Sequence, residues 1–337
     1  MKTYIIRRLV LMAPTLFGIS LCCFLLAQAI PGGPVEQMLA KVKASGGDRG
    51  RDVSKTITPE EVENIKRYYG FDQPLPIRYL SWMGKVLRLD FGRSFVYGEP
   101  VWDVIRSKMP VSLFFGLTSF LLSYSICIPL GLWKALRHKS TFDTLSSAII
   151  FAGYVIPGFA LGVLLLTFFA GGGYLDWFPL AGIVSDNWES MTLSGKIKDF
   201  LWHMTLPLLC YMASEFAFLT MLMKNALLEE MTRDYMRTAL LQGMSFPRAV
   251  WTHALRNALI PLATRAGEIF TLMFAGALLI EKVFDIDGMG LLVYNSIENR
   301  DYNVVLGIIL ITSFLAMLGR LFSDLLYVWV DPRIRLR

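Results

Sequence analysis

Histidine is scarce in this chain. There are three in 337 residues, His138, His203 and His253, far apart in sequence. No H-E-x-x-H pair, no G-x-S-x-G elbow and no Cys/His ligand cluster occurs, so the common signals for zinc proteases, serine hydrolases and bound zinc are missing. No phosphate-binding G-x-x-x-x-G-K-[ST] loop is present either. Gly84-Lys85 and Gly195-Lys196 lack both the upstream glycine and the following Ser or Thr. Any ATP-driven work therefore needs another chain to bind the nucleotide. The four cysteines (Cys22, Cys23, Cys127, Cys210) fall inside apolar runs, where they read as small packing residues and give no disulfide framework. No catalytic residue, metal site or cofactor is expected in the chain itself.

What the chain has in quantity is apolar surface. Apolar residues make up 54%, aromatics 13%, and the mean hydropathy is +0.49, too apolar for an ordinary soluble protein. A helix needs about 20 apolar residues to cross roughly 30 Å of hydrocarbon. Six runs qualify: 9–30, 111–133, 144–170, 201–223, 259–280 and 304–330. The first lacks an A-x-A-like cleavage site and is long enough to span, so it reads as an anchor and not as a removed signal peptide.

Lys and Arg set the expected orientation. With the N-terminus in the cytoplasm, segments 1–8, 134–143, 224–257 and 331–337 lie inside and carry 14 Lys/Arg against 5 Asp/Glu. The short outer loops 171–200 and 282–303 carry 4 against 8. This is the positive-inside asymmetry, with both termini cytoplasmic. Segment 31–110 is also rich in Lys and Arg, but loops of that length are translocated whatever their charge. The net +6 thus reports topology; no nucleic acid is implied.

The expected fold is an all-α integral membrane protein with six transmembrane helices and an extracytoplasmic segment between the first and second. Residues 1–30 form the anchor. Residues 31–110 form the outer segment, where Thr58, Pro59, Glu61 and Gly70 outline a capped helix. Residues 111–330 form the bundle, and 331–337 a cytoplasmic tail. No internal repeat is visible.

Ionisable residues within spans cost about 2.5–3.5 kcal/mol each on insertion scales. Glu215, Arg265 and Glu268 are the clearest cases, with Arg320 and Asp324 nearer the end of the last span. Arg265 and Glu268, three apart, can pair along one helix face, whereas Glu215 has no partner within its own helix. Either a satisfied pair in the bundle interior or a water-filled substrate path accounts for them. Pro157, flanked by Gly153, Gly158 and Gly162, should kink the third run, and its glycines should allow close helix approach. The kink is either tight packing or a moving, path-lining element.

Residues 234–261, "DYMRTALLQGMSFPRAVWTHALRNALIP", interrupt the apolar pattern with two short polar helices inside the cytoplasmic segment 224–258. The first should run from about 228 to 242 and end at Gly243, free to adopt a left-handed backbone. Ser245 suits the next N-cap and Pro247 the first turn. Val250, Ala254, Leu255 and Ala258 share one face, with Arg248, Thr252 and Arg256 mostly elsewhere. The small Ala239, Gly243 and Ala249 should let another surface come close. A membrane-surface amphipathic loop is the alternative.

These residues resemble the cytoplasmic coupling loop of ABC importer permeases in the branch serving dipeptides, oligopeptides and nickel. The wider family's loop begins Glu-Ala-Ala, with Gly four positions on; here Arg237-Thr238-Ala239 and Gly243 keep the last Ala and the Gly. "HALRNALIP", carrying His253, Arg256 and Asn257, is as in the peptide branch. So are "YIIRRLVLMAPTLFGIS" with "IPGGP", "YGFDQPL" with "LDFGRS", "GALLIEKVFDIDGMGLL" with "RDY", and "DPRIR". "FFAGGGYLDWFPLAGIVS" and "DFLWHMTLPLL" look most like the Yej-type permeases, associated with oligopeptides and microcin C-like peptide-nucleotides. Asn303 replaces the family's usual Pro, and Glu215 sits where small neutral residues are usual.

The resemblance implies the type I importer permease fold, a place in the bacterial inner membrane, and a set of partners. These are a second permease subunit, ATP-binding subunits that hold ATP and Mg and dock on Arg237 to Asn257, a periplasmic solute-binding protein, and membrane lipid. Glu215, Pro157, Arg265 and Glu268 would be candidates for the substrate path. A dipeptide or nickel importer of the same branch is the near alternative. A secondary transporter, which should show inverted halves, or a membrane receptor scaffold are those from other classes.

Overall fold

The computed structural model describes residues 2–29, 73–171 and 174–330. Among them the chain is helical, with only two isolated β-bridges, Arg93 with Pro100 and Ala170 with Phe178. The helix expected around Thr58 to Gly70 and the tail 331–337 lie outside the described residues.

In chain order the helices are α1 (Lys2–Ala29), α2 (Leu75–Val86) and α3 (Val101–Leu136). Then come α4 (Thr141–Val155), α5 (Gly158–Phe169) and α6 (Leu193–Met231). The polar segment gives α7 (Asp234–Leu241), α8 (Phe246–Ala249), a π-helical turn (Val250–Ala254) and α9 (Leu255–Ala258). Three short helices follow, α10 (Ile260–Ala266), α11 (Ile269–Ala275) and α12 (Leu278–Val283), and finally α13 (Met289–Glu298) and α14 (Tyr302–Val330).

Among the described residues three helices are long and apolar enough to cross a membrane: Thr3–Leu26, Val101–Leu136 and Tyr302–Leu326. Counting each of two bent pairs as one span gives five. One pair is α4 and α5, which meet at 98°; the other is the two parts of α6, which bend by 49° between Ala213 and Glu215. The expected kink at Pro157 is thus a corner. A residue before proline is driven out of the helical region, and Ile156 is accordingly extended (φ −82°, ψ 119°).

The run 259–280 differs from expectation. In place of one crossing helix it forms α10, α11 and the start of α12, interrupted at Gly267–Glu268 and again at Gly276, which takes φ +65°. A left-handed residue cannot continue a right-handed helix, so the break at Gly276 is built into the backbone.

The chain divides into two compact units. The first comprises Met1–Leu9, Lys108–Leu292 and Phe314–Arg337. Two apolar centres stand out among its described residues. One gathers Ala135, Met223, Leu227, Met236, Ala239, Ala249, Val250, Ala254, Ala258 and Leu262 beneath the polar helix pair. The other is built on Phe115, Met204, Leu206, Cys210, Ile280, Phe284 and Ile286. The expected close approach of α5 is present: a Cβ on Gly158 would lie 3.0 Å from the Cys210 carbonyl oxygen, and one on Gly162 3.0 Å from the Phe284 ring. Gly153 makes no such contact.

The second unit comprises Val10–Ser107 and Val293–Ser313. Phe17 and Phe24 of α1 pack edge-on against Tyr79 of α2, whose hydroxyl lies 2.8 Å from Ser20 Oγ. In the same unit the "FGRS" and "RDY" segments meet. Asp301 Oδ2 accepts from Ser94 Oγ and from the Val96 N–H (3.1 Å), while Asn303 Nδ2 donates to the Arg93 carbonyl at 2.8 Å. Asn303 therefore ties the two segments together with a side-chain amide.

Candidate functional site

The polar helix pair has an inner and an outer side. Gly243 takes φ +86° after α7, as expected of a residue ending a helix in the left-handed region. Ser245 is extended as an N-cap, without a side-chain capping bond, and Pro247 sits in the first turn of α8. The inner side is Met236, Ala239, Ala249, Val250, Ala254 and Ala258, all buried. The outer side carries Arg237, Thr238, Gly243, Ser245, Pro247, Arg248 and Arg256, all exposed. Between them stand Leu240, Leu241, Phe246 and Trp251, with Leu241 89% and Trp251 61% exposed. Large apolar side chains among guanidinium groups, outside the apolar spans, make a surface suited to a protein partner.

Three expectations for this segment are corrected. Ala239 and Ala249 face the chain's own core, so their small size serves packing against Met223 and Leu227 and leaves a partner nothing to touch. Residues 228–231 belong to the long α6, because the chain turns at Thr232–Arg233 before α7 starts. The second helix is not regular: a π-helical turn at Val250–Ala254 widens it midway.

His253 and Asn257 also turn inward. Asn257 Nδ2 donates at 3.3 Å to Glu230 Oε2 and at 3.3 Å to Tyr235 Oη, and Tyr235 donates to Glu230. The His253 ring stands edge-on to Tyr235, 6.4 Å between centroids. This staple joins the end of α6 to α7 and α9. Burial, with the bond to Glu230, pushes the Tyr235 phenol up to about 12, so it stays a donor at any physiological pH.

Glu215 finds its partner on another helix. Arg265 Nη2 lies 3.4 Å from Glu215 Oε1, and Arg265 Nη1 lies 2.5 Å from Glu268 Oε1. The guanidinium stacks over the Phe218 ring, 4.8 Å from its centroid. Two carboxylates share one cation, so the cluster is net negative. The side chains remain 34%, 33% and 48% exposed on this chain. It sits where α6 bends and where α10 gives way to α11. Arg320 is separate from it and exposed, whereas Asp324 accepts from Tyr4 Oη at 2.7 Å and pairs with Arg8 at 3.2 Å.

Two buried clusters escaped the sequence reading. Glu281 has no exposed surface and accepts from the Leu291 N–H (2.7 Å), the Ala277 N–H (3.1 Å), Tyr211 Oη (3.2 Å) and Ser112 Oγ (3.4 Å). Gly276 and Gly288 leave room for it: a Cβ on either would fall within 3 Å of its side chain. The glycines of "GALLIEKVFDIDGMG" were the available signal. The second cluster is Lys134, Asp143 and Lys224, in which Lys224 Nζ bonds both carboxylate oxygens (2.7 and 2.8 Å). Both lysines fall just past the ends of apolar runs, where they look like ordinary positive-inside flanks. No group of three or more His, Cys, Asp or Glu that could hold a metal ion occurs among the described residues.

Comparison with known proteins identifies the family. The family model for the binding-protein-dependent transport system inner membrane component matches residues 127–336, and that for the N-terminal part of such membrane components matches residues 1–116. Over 99% of its length the chain is 42% identical to the peptidoglycan transport system permease protein YejB of Agrobacterium fabrum, covering 98% of that protein. It is 40% identical to the inner membrane ABC transporter permease protein YejB of Escherichia coli O157:H7, with 99% of each chain covered. It is 33% identical to the oligopeptide transport system permease protein AppB of Bacillus subtilis, again over 99% of each. The chain thus belongs to the family of binding-protein-dependent transport system inner membrane components, which are transport permeases and not enzymes.

Proposed function

We propose that this chain is a permease subunit of an ATP-driven, binding-protein-dependent importer of oligopeptides in a bacterial inner membrane. What carries the reading is the end-to-end match to permeases named for peptidoglycan, inner membrane ABC and oligopeptide transport, together with a polar helix pair whose outer side is exposed and mixes guanidinium groups with large apolar side chains. ATP-binding subunits, holding ATP and Mg, dock on Arg237, Thr238, Gly243, Ser245, Pro247, Arg248 and Arg256 and on the exposed Leu241, Phe246 and Trp251. A related second permease completes the path, and a periplasmic binding protein delivers the peptide. In this reading six segments cross the membrane, residues 31–110 lie outside and both termini lie in the cytoplasm.

The substrate path includes Glu215, Arg265, Glu268 and the Pro157 corner. A charged side chain facing lipid at mid-span costs several kcal/mol. A net negative, partly exposed cluster therefore faces water or a neighbouring subunit, and it suits the N-terminal ammonium or a basic side chain of a peptide.

Co-purification and reconstitution test the proposal. The chain should carry ATP-binding subunits with it. With the second permease and the binding protein in proteoliposomes, it should take up oligopeptides in an ATP-dependent way. Uptake of dipeptides or nickel instead would move it within the same branch. Purification without any ATPase partner would favour a secondary transporter or a receptor scaffold.

A further inference from the structure

Lys134, Asp143 and Lys224 form a buried knot in which two ammonium groups share one carboxylate. Lys134 Nζ donates to the Asp143 carbonyl (3.0 Å), Ser146 Oγ (2.6 Å) and Ser147 Oγ (2.9 Å), and lies 3.2 Å from Asp143 Oδ1. The Asp143 carboxylate also accepts from the Lys139 N–H at 3.1 Å, with His138 Nδ1 at 3.4 Å. Lys134 has no exposed surface, and Asp143 and Lys224 have 4% and 9%. Lys134 and Asp143 alone would be a neutral, well-bonded pair closing the α3–α4 turn. Lys224 adds a second ammonium to the same carboxylate, one cation more than charge balance of the pair requires. Plain structural cement would not need it.

The position of Lys224 supplies a reason. It follows Met223 on α6, and Leu227 lies one turn on. Both are in the core on which Met236, Ala239, Ala249, Val250 and Ala254 of the polar helix pair rest. Its ammonium grips Asp143 in the first turn of α4, the helix that runs to the Pro157 corner. Apolar packing between helices tolerates sliding, whereas a buried ion pair fixes register. We propose that Lys224 and Asp143 are positioning residues that lock α4 to the floor of the polar helix pair, so that displacement of α7–α9 by an ATP-binding subunit reaches α4 and its corner. This rests on the importer reading.

The test uses the whole complex in proteoliposomes and measures peptide taken up per ATP hydrolysed. Lys224→Met leaves the neutral Lys134–Asp143 pair, so it should insert, assemble and keep the parent's basal ATP hydrolysis. Its uptake per ATP should fall about fivefold, within the range seen for residues that carry coupling. Lys224→Arg should restore the parental ratio. Lys134→Met, which spares the α4–α6 link, should also keep it. A parental ratio in Lys224→Met overturns the proposal. So does failure of Lys224→Met to insert or assemble, which would make Lys224 a stability residue. Absence of ATP-dependent uptake by the parent complex would instead tell against the importer reading itself.

Discussion

Gly267 and Gly319 meet backbone to backbone. A Cβ on Gly267 would come within 2.0 Å of the Gly319 carbonyl oxygen, and one on Gly319 within 2.1 Å of the Gly267 carbonyl oxygen. Ser323 secures the crossing, accepting from the Gly267 N–H at 3.0 Å and donating to the Thr264 carbonyl at 2.8 Å. Small residues let helices approach this closely inside a membrane. Here the approach fixes the backbone between Arg265 and Glu268, and with it the charged cluster.

The first prediction follows from that contact. Gly319→Leu and Gly267→Leu should each destabilise the purified protein by at least about 1–3 kcal/mol, the usual range for overpacking. Ser323→Ala, which orphans a buried N–H, should cost about 1–3 kcal/mol. Thermal unfolding in detergent measures all three. If the leucine variants melt with the parent, α14 is free to move away from α10 and α11 and the crossing is not a fixed point.

Tyr235 gives the second. Removing its hydroxyl leaves Glu230 without that donor and Asn257 without one of its acceptors, so Tyr235→Phe should loosen α7 by about 1–2 kcal/mol. Amide exchange at 234–241 should quicken, with little change in the spans. The phenol's contribution is fully present below its ordinary value of 10.0 and is lost as pH rises through about 12. Exchange in the parent should accordingly show no Tyr235-linked transition between about pH 6 and 9. Unchanged exchange in Tyr235→Phe would mean that apolar packing alone holds α7.

Much of this was legible in the residues, for physical reasons. Hydropathy located the long helices because burial from water and burial in lipid demand the same apolar run. The Gly243 turn was legible because few other residues tolerate a left-handed backbone. Arg265 with Glu268 followed from helical spacing. Glu215 with Arg265, fifty positions apart, could not, since nothing local encodes which helices meet. The small residues misled in part: Ala239 and Ala249 looked like a docking surface because a sequence does not say which side of an amphipathic helix its own core claims. Within the run 259–280 composition suggested one continuous helix, whereas the breaks at Gly267–Glu268 and Gly276 divide it. Asp143, Lys134 and Lys224 stayed hidden because two of them sit where any membrane protein carries surface lysines.

The third prediction concerns Glu215. With Arg265 holding both carboxylates, Glu215→Gln turns a net negative cluster neutral while keeping its shape. In the reconstituted importer it should weaken uptake of peptides with a free N-terminus or basic side chains. N-blocked, neutral peptides should be affected much less. Equal loss across all peptides would assign the cluster to subunit packing.

Topology supplies the fourth. Cysteines placed singly at Ser54 and Lys139 in intact cells should differ, the first reacting with an impermeant thiol reagent and the second only after permeabilisation. Labelling of position 139 from outside would reverse the orientation and remove the polar helix pair from the cytoplasm.

The last prediction returns to Gly243. Its φ of +86° lies in the left-handed region, while the space around its α-carbon is open. A side chain there meets no steric wall; its cost is backbone strain of about 1–2 kcal/mol, too little to stop insertion of a bundle held by its apolar spans. The strain would instead re-aim α8 relative to α7, and a Trp would stand beside Leu241 and Phe246 on the outer side. Gly243→Trp should therefore reach the membrane in parental amounts and melt close to the parent. Retention of the ATP-binding subunits through purification should drop, and uptake with peptide-stimulated ATP hydrolysis should fall together. Gly243→Ala, with the strain but little bulk, should fall between the two. A Gly243→Trp protein that retains its ATPase partners and transports at the parental rate would show that the motor grips the chain elsewhere, and that the exposed side of α7–α9 serves some other contact.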